Sequence, residues 1–274
     1  MSLHFTKMHG IGNDFVVLDC RTQPFALAPA QIARIGDRHT GVGFDQLLTI
    51  EPARDPSCLF YYGIYNADGS MSGQCGNGVR CVAAWLRRAG VLGTGAARLE
   101  SPSGAVSVEL LADGRVRVDM GEPRFAPGDV PLTLPAADPY ALTLDGGRIE
   151  FGAVSMGNPH AVVEVADVDA APLAQIGAAL STNSHFPQSC NVGVVQIVER
   201  AHVRLRVQER GVGETLACGT GACAAAAVLR RRAQVDATVA VGLPGGRLEI
   251  RWQGPGHTLW MTGPAAFVYE GDWE

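Results

Sequence analysis

Two stretches of this sequence decide its fold: Cys75-Gly-Asn-Gly78 and, 143 residues later (218 minus 75), Cys218-Gly-Thr-Gly221. Each is followed by a run rich in alanine and other apolar residues, from 79 to 89 and from 222 to 233. Apolar side chains fall on nearly every side of these runs, which is typical of a buried helix. The sequence therefore predicts two central helices, each of which begins beside a cysteine.

The two stretches belong to a longer internal repeat. Its other matches are Gly12-Asn13-Asp14-Phe15 with Gly157-Asn158-Pro159-His160 and Gln46 with Asn191, at an offset of 145 (157 minus 12), and Asn66 with Glu209, at an offset of 143 (209 minus 66). Matches in the same order at nearly one offset rarely arise by chance, and internal repeats of this kind usually reflect repeated structure. The chain is therefore predicted to consist of two similar halves.

Strand patterns fill the rest of both halves. Alternating apolar and polar residues predict a hairpin from 106 to 120 around Ala112-Asp-Gly114, and strands at 203–208 and 247–252. The segment Gly121-Glu-Pro-Arg-Phe-Ala-Pro-Gly128 is predicted to cross between the halves. Each half is therefore mainly strands around one helix, an α+β architecture with pseudo-symmetric domains.

Composition and charge argue against several classes of protein. The net charge of −5 comes without a basic stripe, and Arg230-Arg231-Arg232 fits the end of a helix, so no nucleic-acid partner is expected. The apolar runs are too short to cross a membrane, and the first twenty residues lack the pattern of a secretory signal. Seven cysteines, an odd number, fit reduced thiols, so a cytoplasmic protein is expected.

Lysine usage bears on the choice of cofactor. Lys7 is the only lysine in the chain, whereas arginine is plentiful. A pyridoxal phosphate enzyme forms its Schiff base with a lysine, so that chemistry would depend on this one N-terminal residue. We therefore expect a reaction that uses no cofactor.

A cysteine at the start of a helix has unusual chemistry. The backbone N–H groups and the helix dipole favour negative charge there, which can lower the pKa of a thiol and bind a carboxylate. Inverting an amino-acid α-carbon requires removing a proton from one face and returning one to the other. Two thiols can do this where one base cannot easily reach both faces. Cys75 and Cys218 are therefore predicted to be the catalytic pair of an amino-acid epimerase, one thiolate and the other thiol.

Cys75 and Cys218 also have other interpretations. Buried cysteines beside glycines are often structural, and a disulfide between Cys75 and Cys218 is conceivable under oxidation. The spacings Cys75-x5-Cys81 and Cys218-x4-Cys223 do not suit a structural zinc site, and neither glycine cluster completes a phosphate-binding loop. No metal is predicted. The five remaining cysteines are interpreted as core residues.

Several polar residues near the repeats have two interpretations. His160 is either a structural histidine or part of the site. Glu209 and Arg210 are either an exposed charge pair or a clamp for an ammonium and a carboxylate. The asparagines of the repeats could be turn residues, but their side chains also suit a zwitterionic ligand.

At these residues the sequence resembles the diaminopimelate epimerase family. The matching stretches are Lys7-Met-His-Gly-Ile-Gly-Asn-Asp-Phe15, Asn66-Ala-Asp-Gly-Ser70, Cys75-Gly-Asn-Gly-Val-Arg-Cys81, Gly157-Asn-Pro-His160, Glu209-Arg-Gly-Val-Gly-Glu-Thr-Leu-Ala-Cys-Gly-Thr-Gly-Ala-Cys223 and Met261-Thr-Gly-Pro-Ala265. The resemblance spans essentially the whole chain. It implies interconversion of LL- and meso-2,6-diaminopimelate, on the route to lysine and peptidoglycan, with Cys75 and Cys218 as proton donor and acceptor.

The resemblance also implies roles for further residues and a fold. His160 and Glu209 would tune the cysteines, and Tyr269 would lie in a homodimer contact. The substrate-binding positions would be Asn13, Gln46, Asn66, Gly76, Asn77, Asn158, Asn191, Glu209, Arg210, Gly219 and Thr220. Each domain would be a β-barrel-like mixed sheet wrapped around a central helix. The domains would comprise residues 1–118 with the returning tail 264–274, and residues 119–263.

Three rival functions stay open at this point. The first is an epimerase for another amino acid, which would share the chemistry but differ in the contacts to the distal end of the substrate. The second is a thiol hydrolase that uses one cysteine with His160, and this would leave the other repeated cysteine unexplained. The third is a protein that binds diamino acids without exchanging the α-hydrogen.

Overall fold

The chain divides into two units, Met1–Asp119 with Thr262–Glu274, and Met120–Met261, called here the first and second unit. The computed structural model describes residues 2–144 and 147–274, without the side chain of Leu144. As separate functional domains, the ranges 1–118 with 264–274 and 119–263 stay a prediction.

Strands predominate in both units. Up to residue 119 the elements are β1 (Leu3–Gly10), β2 (Asn13–Asp19), α1 (Pro29–Gly36), β3 (Gln46–Pro52), β4 (Phe60–Asn66), α2 (Gly76–Arg88), β5 (Gly95–Ser101), β6 (Gly104–Leu110) and β7 (Val116–Asp119). They are followed by β8 (Tyr140–Leu144), β9 (Gly147–Ser155), β10 (Pro159–Glu164), α3 (Leu173–Ser181), β11 (Asn191–Glu199), β12 (His202–Glu209), β13 (Gly213–Thr215), α4 (Gly219–Arg231), β14 (Thr238–Leu243), β15 (Gly246–Arg251), β16 (Trp260–Gly263) and β17 (Ala266–Trp273).

The sheet of the first unit mixes parallel and antiparallel pairs. β1 pairs antiparallel with both β2 and β17, β2 pairs parallel with β3, and β3 pairs antiparallel with β4. β4 pairs parallel with β5, which pairs antiparallel with β6, and β6 with β7. Helix α2 packs against β1, β2, β3, β4, β6 and β7, so the sheet curves around it. Val79, Cys81 and Val82 of this helix are fully buried.

The second unit has the same order of pairing. β9 pairs antiparallel with β10, β10 parallel with β11, β11 antiparallel with β12, β12 parallel with β14, and β14 antiparallel with β15. Helix α4 packs against β9, β10, β11, β12, β14 and β15. Its residues from Gly221 to Leu229 are all buried. The predicted α+β fold, with a mixed sheet around one central helix in each half, is confirmed.

The register of the strands reproduces the sequence repeat. Phe15 lies opposite Gln46 in the parallel pair β2–β3, and His160 lies opposite Asn191 in the parallel pair β10–β11. The turns before β2 and β10 also agree, because Gly12 and Gly157 have φ values of 92° and 91°. Glycine adopts this left-handed conformation without steric cost. The offset of 145 is therefore a structural equivalence.

The predicted hairpin and helix ends are confirmed, but two short helices are not indicated by the sequence pattern. β6 and β7 form the hairpin, and α4 ends at Arg231 with Arg232 as its C-cap. Helix α1 is only eight residues long, with Ile32 and Ile35 buried. Helix α3 buries Leu173, Gly177 and Leu180 on one face. Segments this short give too few turns for a helical period to stand out.

Candidate active site

Both predicted catalytic cysteines are N-cap residues. Cys75 caps α2, and its Sγ accepts a hydrogen bond from the N–H of Gly78 at 3.4 Å. Cys218 caps α4, and its Sγ accepts from the N–H of Gly221 at 3.3 Å. Each sulfur takes the place that a serine or threonine hydroxyl usually fills at a helix start. The prediction that each helix begins beside its cysteine is confirmed.

The space around the glycine that donates to each sulfur is tighter at Cys218 than at Cys75. A Cβ on Gly221 would lie 3.1 Å from Sγ of Cys218 and 2.9 Å from a methyl group of Val207. A Cβ on Gly78 would meet a methyl group of Leu48 at 3.2 Å. The first turn of each helix therefore packs closely against its own thiol.

Two asparagines of the first unit gather at Cys75. The Sγ of Cys75 lies 3.7 Å from Oδ1 of Asn13, which accepts a hydrogen bond from the thiol. The same Oδ1 accepts from Nδ2 of Asn77 at 3.2 Å, and Asn77 is buried. Cys75 itself is partly exposed. A thiol that a ligand can reach therefore lies beside two amide side chains.

Gln46 and Asn66 form a second polar pair in the first unit. They lie opposite one another in the antiparallel pair β3–β4, and Nε2 of Gln46 donates to Oδ1 of Asn66 at 3.0 Å. The Nδ2 of Asn66 donates to Oγ of Ser70 at 3.0 Å. The register of β3 and β4 therefore places Gln46 and Asn66, both predicted to bind substrate, side by side.

Cys218 lies in a buried, polar surrounding in the second unit. Only 3% of the residue is exposed, and its Sγ lies 3.7 Å from Oγ1 of Thr220. Burial and the negative charge of Glu209 raise the pKa of this thiol well above its usual value, against weaker opposing contacts from Thr220 and Gly221. Burial and Glu209 therefore favour the thiol form of Cys218 at neutral pH.

His160 reaches Cys218 only through other side chains. Its Nε2 donates to Oδ1 of Asn158 at 3.0 Å, and Nδ2 of Asn158 donates to Oγ1 of Thr220 at 3.5 Å. Burial, and to a smaller extent the charge of Arg210, lower the pKa of His160 to about 3. The ring is therefore neutral at physiological pH and holds the amide of Asn158. Its role in tuning a cysteine stays a prediction.

Asn191 and Arg210 support one another. Oδ1 of Asn191 accepts from the backbone N–H of Arg210 at 2.9 Å, and its Nδ2 donates to the carbonyl of Pro159 at 3.2 Å. The Nη1 of Arg210 donates to the carbonyl of Gln188 at 2.7 Å. Asn191 is buried and so positions the backbone that carries Arg210. Their predicted contacts to substrate are not tested.

A charged cluster in the first unit is not indicated by the sequence repeat. Lys7 donates to Oδ2 of Asp14 at 2.5 Å, and Arg38 bridges Asp14 and Asp45 at 2.7 Å from each carboxylate. Asp45 Oδ2 also accepts from Nδ2 of Asn13 at 2.8 Å. The sequence carries no direct signal for it, because Asp14 and Asp45 become neighbours only through the parallel register of Phe15 with Gln46. The cluster therefore adjoins the Cys75 site.

Three further predictions concern the whole chain. All seven cysteines are free of disulfides, and the five outside the pair are buried. Within residues 2–144 and 147–274, no three histidine, cysteine or acidic side chains are grouped as a metal would need. In the same part of the chain, every helix is too short or too polar to span a membrane.

Comparison with known proteins places this geometry in a family. The model of the family described as diaminopimelate epimerase matches residues 5–126 and 152–268, which include both cysteine-capped helices. The chain belongs to the diaminopimelate epimerase family. The resemblance noted in the sequence is confirmed, and the protein is an isomerase of the epimerase type.

Relatives within the diaminopimelate epimerase family are similar along their whole length. The diaminopimelate epimerase of Xanthomonas euvesicatoria is 56% identical over 273 residues, which cover 99% of this chain and 96% of that protein. The diaminopimelate epimerase of Chromobacterium violaceum is 51% identical, with 100% of both chains covered.

A more distant solved structure shares the fold of the diaminopimelate epimerase family. It is a hydroxyproline epimerase from Agrobacterium vitis with bound trans-4-hydroxy-L-proline, with a TM-score of 0.73 and 16% identity, covering 99% of this chain and 92% of that chain. At this identity the likeness concerns the fold alone.

Proposed function

We propose that the protein interconverts LL- and meso-2,6-diaminopimelate by proton transfer at one α-carbon, with Cys75 and Cys218 as the two acid–base groups and no cofactor. The observation that carries the proposal is the equivalence of the two thiols. Each caps the buried central helix of its unit, and each sulfur accepts the N–H three residues further on. The name and near-complete coverage of the relatives support the substrate.

The start of each helix suits the reacting carboxylate. In the first turn of an α-helix the backbone N–H groups point outward along the axis and have no carbonyl partner within the helix. Gly76 and Gly219 have no side chain, so a ligand can approach the backbone closely there. Such donors stabilise the charge that grows on the carboxylate when the α-proton leaves. Asn77 and Thr220 add their own first-turn N–H groups and polar side chains.

The chemistry needs one thiolate and one thiol. The thiolate removes the α-hydrogen as a proton and becomes a thiol, and the electron pair of the broken C–H bond delocalises toward the carboxylate. The other thiol gives its proton to the opposite face and becomes the thiolate. Charge and protons balance, and the two sulfurs exchange states in each turnover. Both thiols must therefore reach the same carbon, one from each face.

The surroundings of Cys218 suit a group that starts as the acid. Burial and Glu209 favour its thiol form, as its raised pKa shows. Glu209 is in turn held by the hydroxyl of Thr215, which donates to its Oε1 at 2.7 Å. The proposed tuning by Glu209 thus acts through charge beside the sulfur. For His160 the proposed tuning acts through Asn158 and Thr220.

The remaining polar residues are proposed to bind the substrate. Amide side chains offer donors and acceptors together, and Arg210 offers a fixed charge, which suits an amino acid end with an ammonium and a carboxylate. The proposed set is Asn13, Gln46, Asn66, Asn158, Asn191, Glu209 and Arg210. Specificity for diaminopimelate over a one-ended amino acid would come from those that bind the end that is not inverted.

Deuterium incorporation tests the reaction. LL-diaminopimelate incubated with the protein in heavy water is expected to become the meso isomer and to gain one deuterium at the inverted carbon, as measured by NMR and mass spectrometry. Proline and trans-4-hydroxyproline are expected to gain none. Exchange in either of these, without exchange in diaminopimelate, would replace the proposed substrate.

Paired cysteine variants test the mechanism. Cys75→Ala and Cys218→Ala are each expected to abolish epimerisation, because each removes the acid–base group of one face. Cys58→Ala is the matched control, since Cys58 is another buried thiol of the first unit and has no proposed role. Near-normal turnover in either of the first two variants would disprove the two-base mechanism.

We also propose that the protein works as a homodimer in the cytoplasm. Support for a dimer comes from β17, where Val268 and Tyr269 are 55% and 47% exposed at neighbouring positions. The ring of Tyr269 packs edge-on against Phe5 at 5.8 Å. Analytical ultracentrifugation is expected to give twice the 28.8 kDa chain mass for the wild type, and the mass of a monomer for Tyr269→Glu.

The proposed cytoplasmic location is supported by the cysteines, because seven thiols outside disulfides fit a reducing compartment. Cell fractionation tests the compartment.

A further inference from the structure

We propose that Asp45 is a positioning residue that decides which end of the Asn13 amide faces Cys75. The inference concerns the site of the proposed epimerisation. It rests on that proposed function only where turnover is concerned, because the contacts of Asp45 and their test do not depend on it. Its central observation is a chain of two polar contacts, from Asp45 to Asn13 and from Asn13 to the sulfur of Cys75.

The orientation of the Asn13 amide follows from the chemistry of its neighbours. A carboxylate only accepts hydrogen bonds, so the group that faces Asp45 Oδ2 at 2.8 Å must be the NH2 of Asn13. The oxygen of the amide is thereby directed to the other side. There it accepts from Nδ2 of Asn77 at 3.2 Å and from the thiol of Cys75 at 3.7 Å. Asp45 thus presents an acceptor, and not a donor, to the sulfur.

Asp45 is itself fixed by several contacts. Its backbone N–H donates to the carbonyl of Asp14 at 3.0 Å, and the backbone N–H of Asp14 donates to Oδ2 of Asp45 at 3.1 Å. Arg38 donates to Oδ1 of Asp45 at 2.7 Å. Although burial opposes it, hydrogen bonds from Arg38 and Lys7 lower the pKa of Asp14 to about 2, so the cluster keeps its charges at neutral pH. Lys7 also donates to the carbonyl of Gly43, two residues before Asp45.

The second unit turns the equivalent amide the other way. At the offset of 145, Pro159 and Cys190 stand where the first unit has Asp14 and Asp45. Asn158, the equivalent of Asn13, accepts from His160 through its oxygen and directs its NH2 to Thr220, whose hydroxyl contacts Cys218. The two halves therefore hold the equivalent amides of Asn13 and Asn158 in opposite orientations. The carboxylate of Asp45 fixes the orientation of the amide in the first unit, as the ring of His160 does in the second.

The orientation matters because it affects the protonation state of the sulfur. An amide oxygen accepts the hydrogen of a thiol, whereas an amide NH2 donates to a thiolate and favours it. Two titratable groups that lie close enough to Cys75 to interact with its charge are Tyr62 of β4 and Cys81 of α2. Burial raises the pKa of both, so both are neutral and supply no charge that would decide the state of Cys75.

Alkylation of Cys75 measures this effect without reference to activity. In Asp45→Asn the new side chain offers an oxygen or an NH2, so Asn13 can turn its own NH2 to the sulfur. The rate of Cys75 alkylation by iodoacetamide at pH 7, followed by mass spectrometry of the Cys75 peptide, is expected to rise about fivefold, the worth of one ordinary hydrogen bond.

Two controls separate positioning from charge and from loss of structure. Asp37→Asn removes the same charge from the same loop, where the carboxylate of Asp37 binds His39 and Thr40, and is expected to leave the rate unchanged. Arg38→Gln loosens the cluster but leaves the contact between Asp45 and Asn13. It is expected to lower stability without a rise in rate. An unchanged rate in Asp45→Asn, or an equal rise in either control, would overturn the proposal.

The wild-type protein offers a test that needs no variant. Neutron diffraction from deuterated crystals is expected to show the two deuterons of Asn13 Nδ2 on the side of Asp45 and the deuteron of Cys75 directed to Oδ1. The reverse orientation of the amide would rule out the role of Asp45 even if Asp45→Asn failed to fold. Failure of the epimerase assay would leave both readouts intact, so the two proposals fail separately.

Discussion

Thr215 donates a 2.7 Å hydrogen bond from its hydroxyl to Oε1 of Glu209, and thereby holds the carboxylate whose charge raises the pKa of Cys218. The contact joins β13 to the end of β12, directly before the cysteine-capped helix α4. A short hairpin thus fixes a charge beside a buried sulfur. This arrangement makes the protonation state of Cys218 sensitive to one carboxylate.

Removal of the Glu209 charge is expected to make Cys218 ionise more readily. In Glu209→Gln the negative charge that disfavours the thiolate is gone, so Cys218 is expected to be alkylated faster than in the wild type at pH 8 to 9. Mass spectrometry of the Cys218 peptide measures the ratio of the two rates. Glu214→Gln is the control, because Glu214 lies on β13 but pairs with Arg206. A slower rate in Glu209→Gln would contradict the assignment of cause.

Alanine at the two equivalent helix glycines is expected to have unequal effects. Gly221→Ala brings a methyl group to 3.1 Å from Sγ of Cys218 and 2.9 Å from Val207, so the thiol must shift. We expect a loss of about 2 kcal/mol in unfolding free energy, typical of overpacking, and at least tenfold lower turnover. Gly78→Ala meets a flexible methyl of Leu48 at 3.2 Å and, in ordinary contact, the Cβ of Cys75 at 3.4 Å. It also gains helix propensity, so it is expected to be nearly neutral in stability. Urea denaturation and initial rates measure both, and equal losses would be inconsistent with the packing described.

Loss of the single lysine is expected to destabilise the first unit. Lys7 is 8% exposed and pairs with Asp14, so Lys7→Met leaves a mostly buried carboxylate with only Arg38 as its charged partner. The unfolding free energy is expected to fall by about 2 kcal/mol. Arg148→Met serves as control, since Arg148 and Glu150 form an exposed pair whose loss costs less than about 1 kcal/mol. Equal denaturation midpoints for Lys7→Met and the wild type would refute the importance of this pair.

Stability is expected to fall below pH 6.5 because of His160. Burial and Arg210 lower its pKa to about 3, whereas an unfolded histidine titrates near 6.5. Between these values the unfolded chain binds a proton that the folded protein does not, so stability is full above pH 6.5 and declines as the pH falls toward 3.

His160→Gln tests the origin of that decline. Glutamine keeps an N–H donor for Asn158 but cannot titrate, so the urea midpoint of this variant is expected to drop less than that of the wild type between pH 7 and 4.5. His257→Gln, at an exposed position, is expected to behave like the wild type. A wild-type decline retained in full by His160→Gln would point to another group.

The fold was predictable to the extent that the sequence repeats. The offset of 145 that relates both Asn13 to Asn158 and Gln46 to Asn191 anticipates the equal registers of β2–β3 and β10–β11. The helices were predictable because residues 76–83 of α2 and 221–229 of α4 are continuously buried, and these runs are long enough to show in the sequence. Helix α1 was missed because its eight residues bury few apolar side chains, and its packing depends on distant strands.

The site was predictable in its residues but not in its contacts. The repeat singled out His160, yet the sequence does not reveal that burial makes this ring neutral and turns it to Asn158. Asp45 was missed because its equivalent in the other half is Cys190, so the repeat gives no match there. Its importance follows only from the register that sets it beside Asp14, which is a property of paired strands and not of either segment alone.

The pairing of β1 with β17 has a consequence for biosynthesis. Leu3 lies opposite Trp273, and Lys7 opposite Tyr269, so β1 borders a strand that is translated only after the second unit. The nascent first unit must therefore wait, with one side of β1 uncovered, until the whole second unit has been translated. A chain that stopped before Ala266 would lack β17, so the first unit, and not the second, would lose this strand of its sheet.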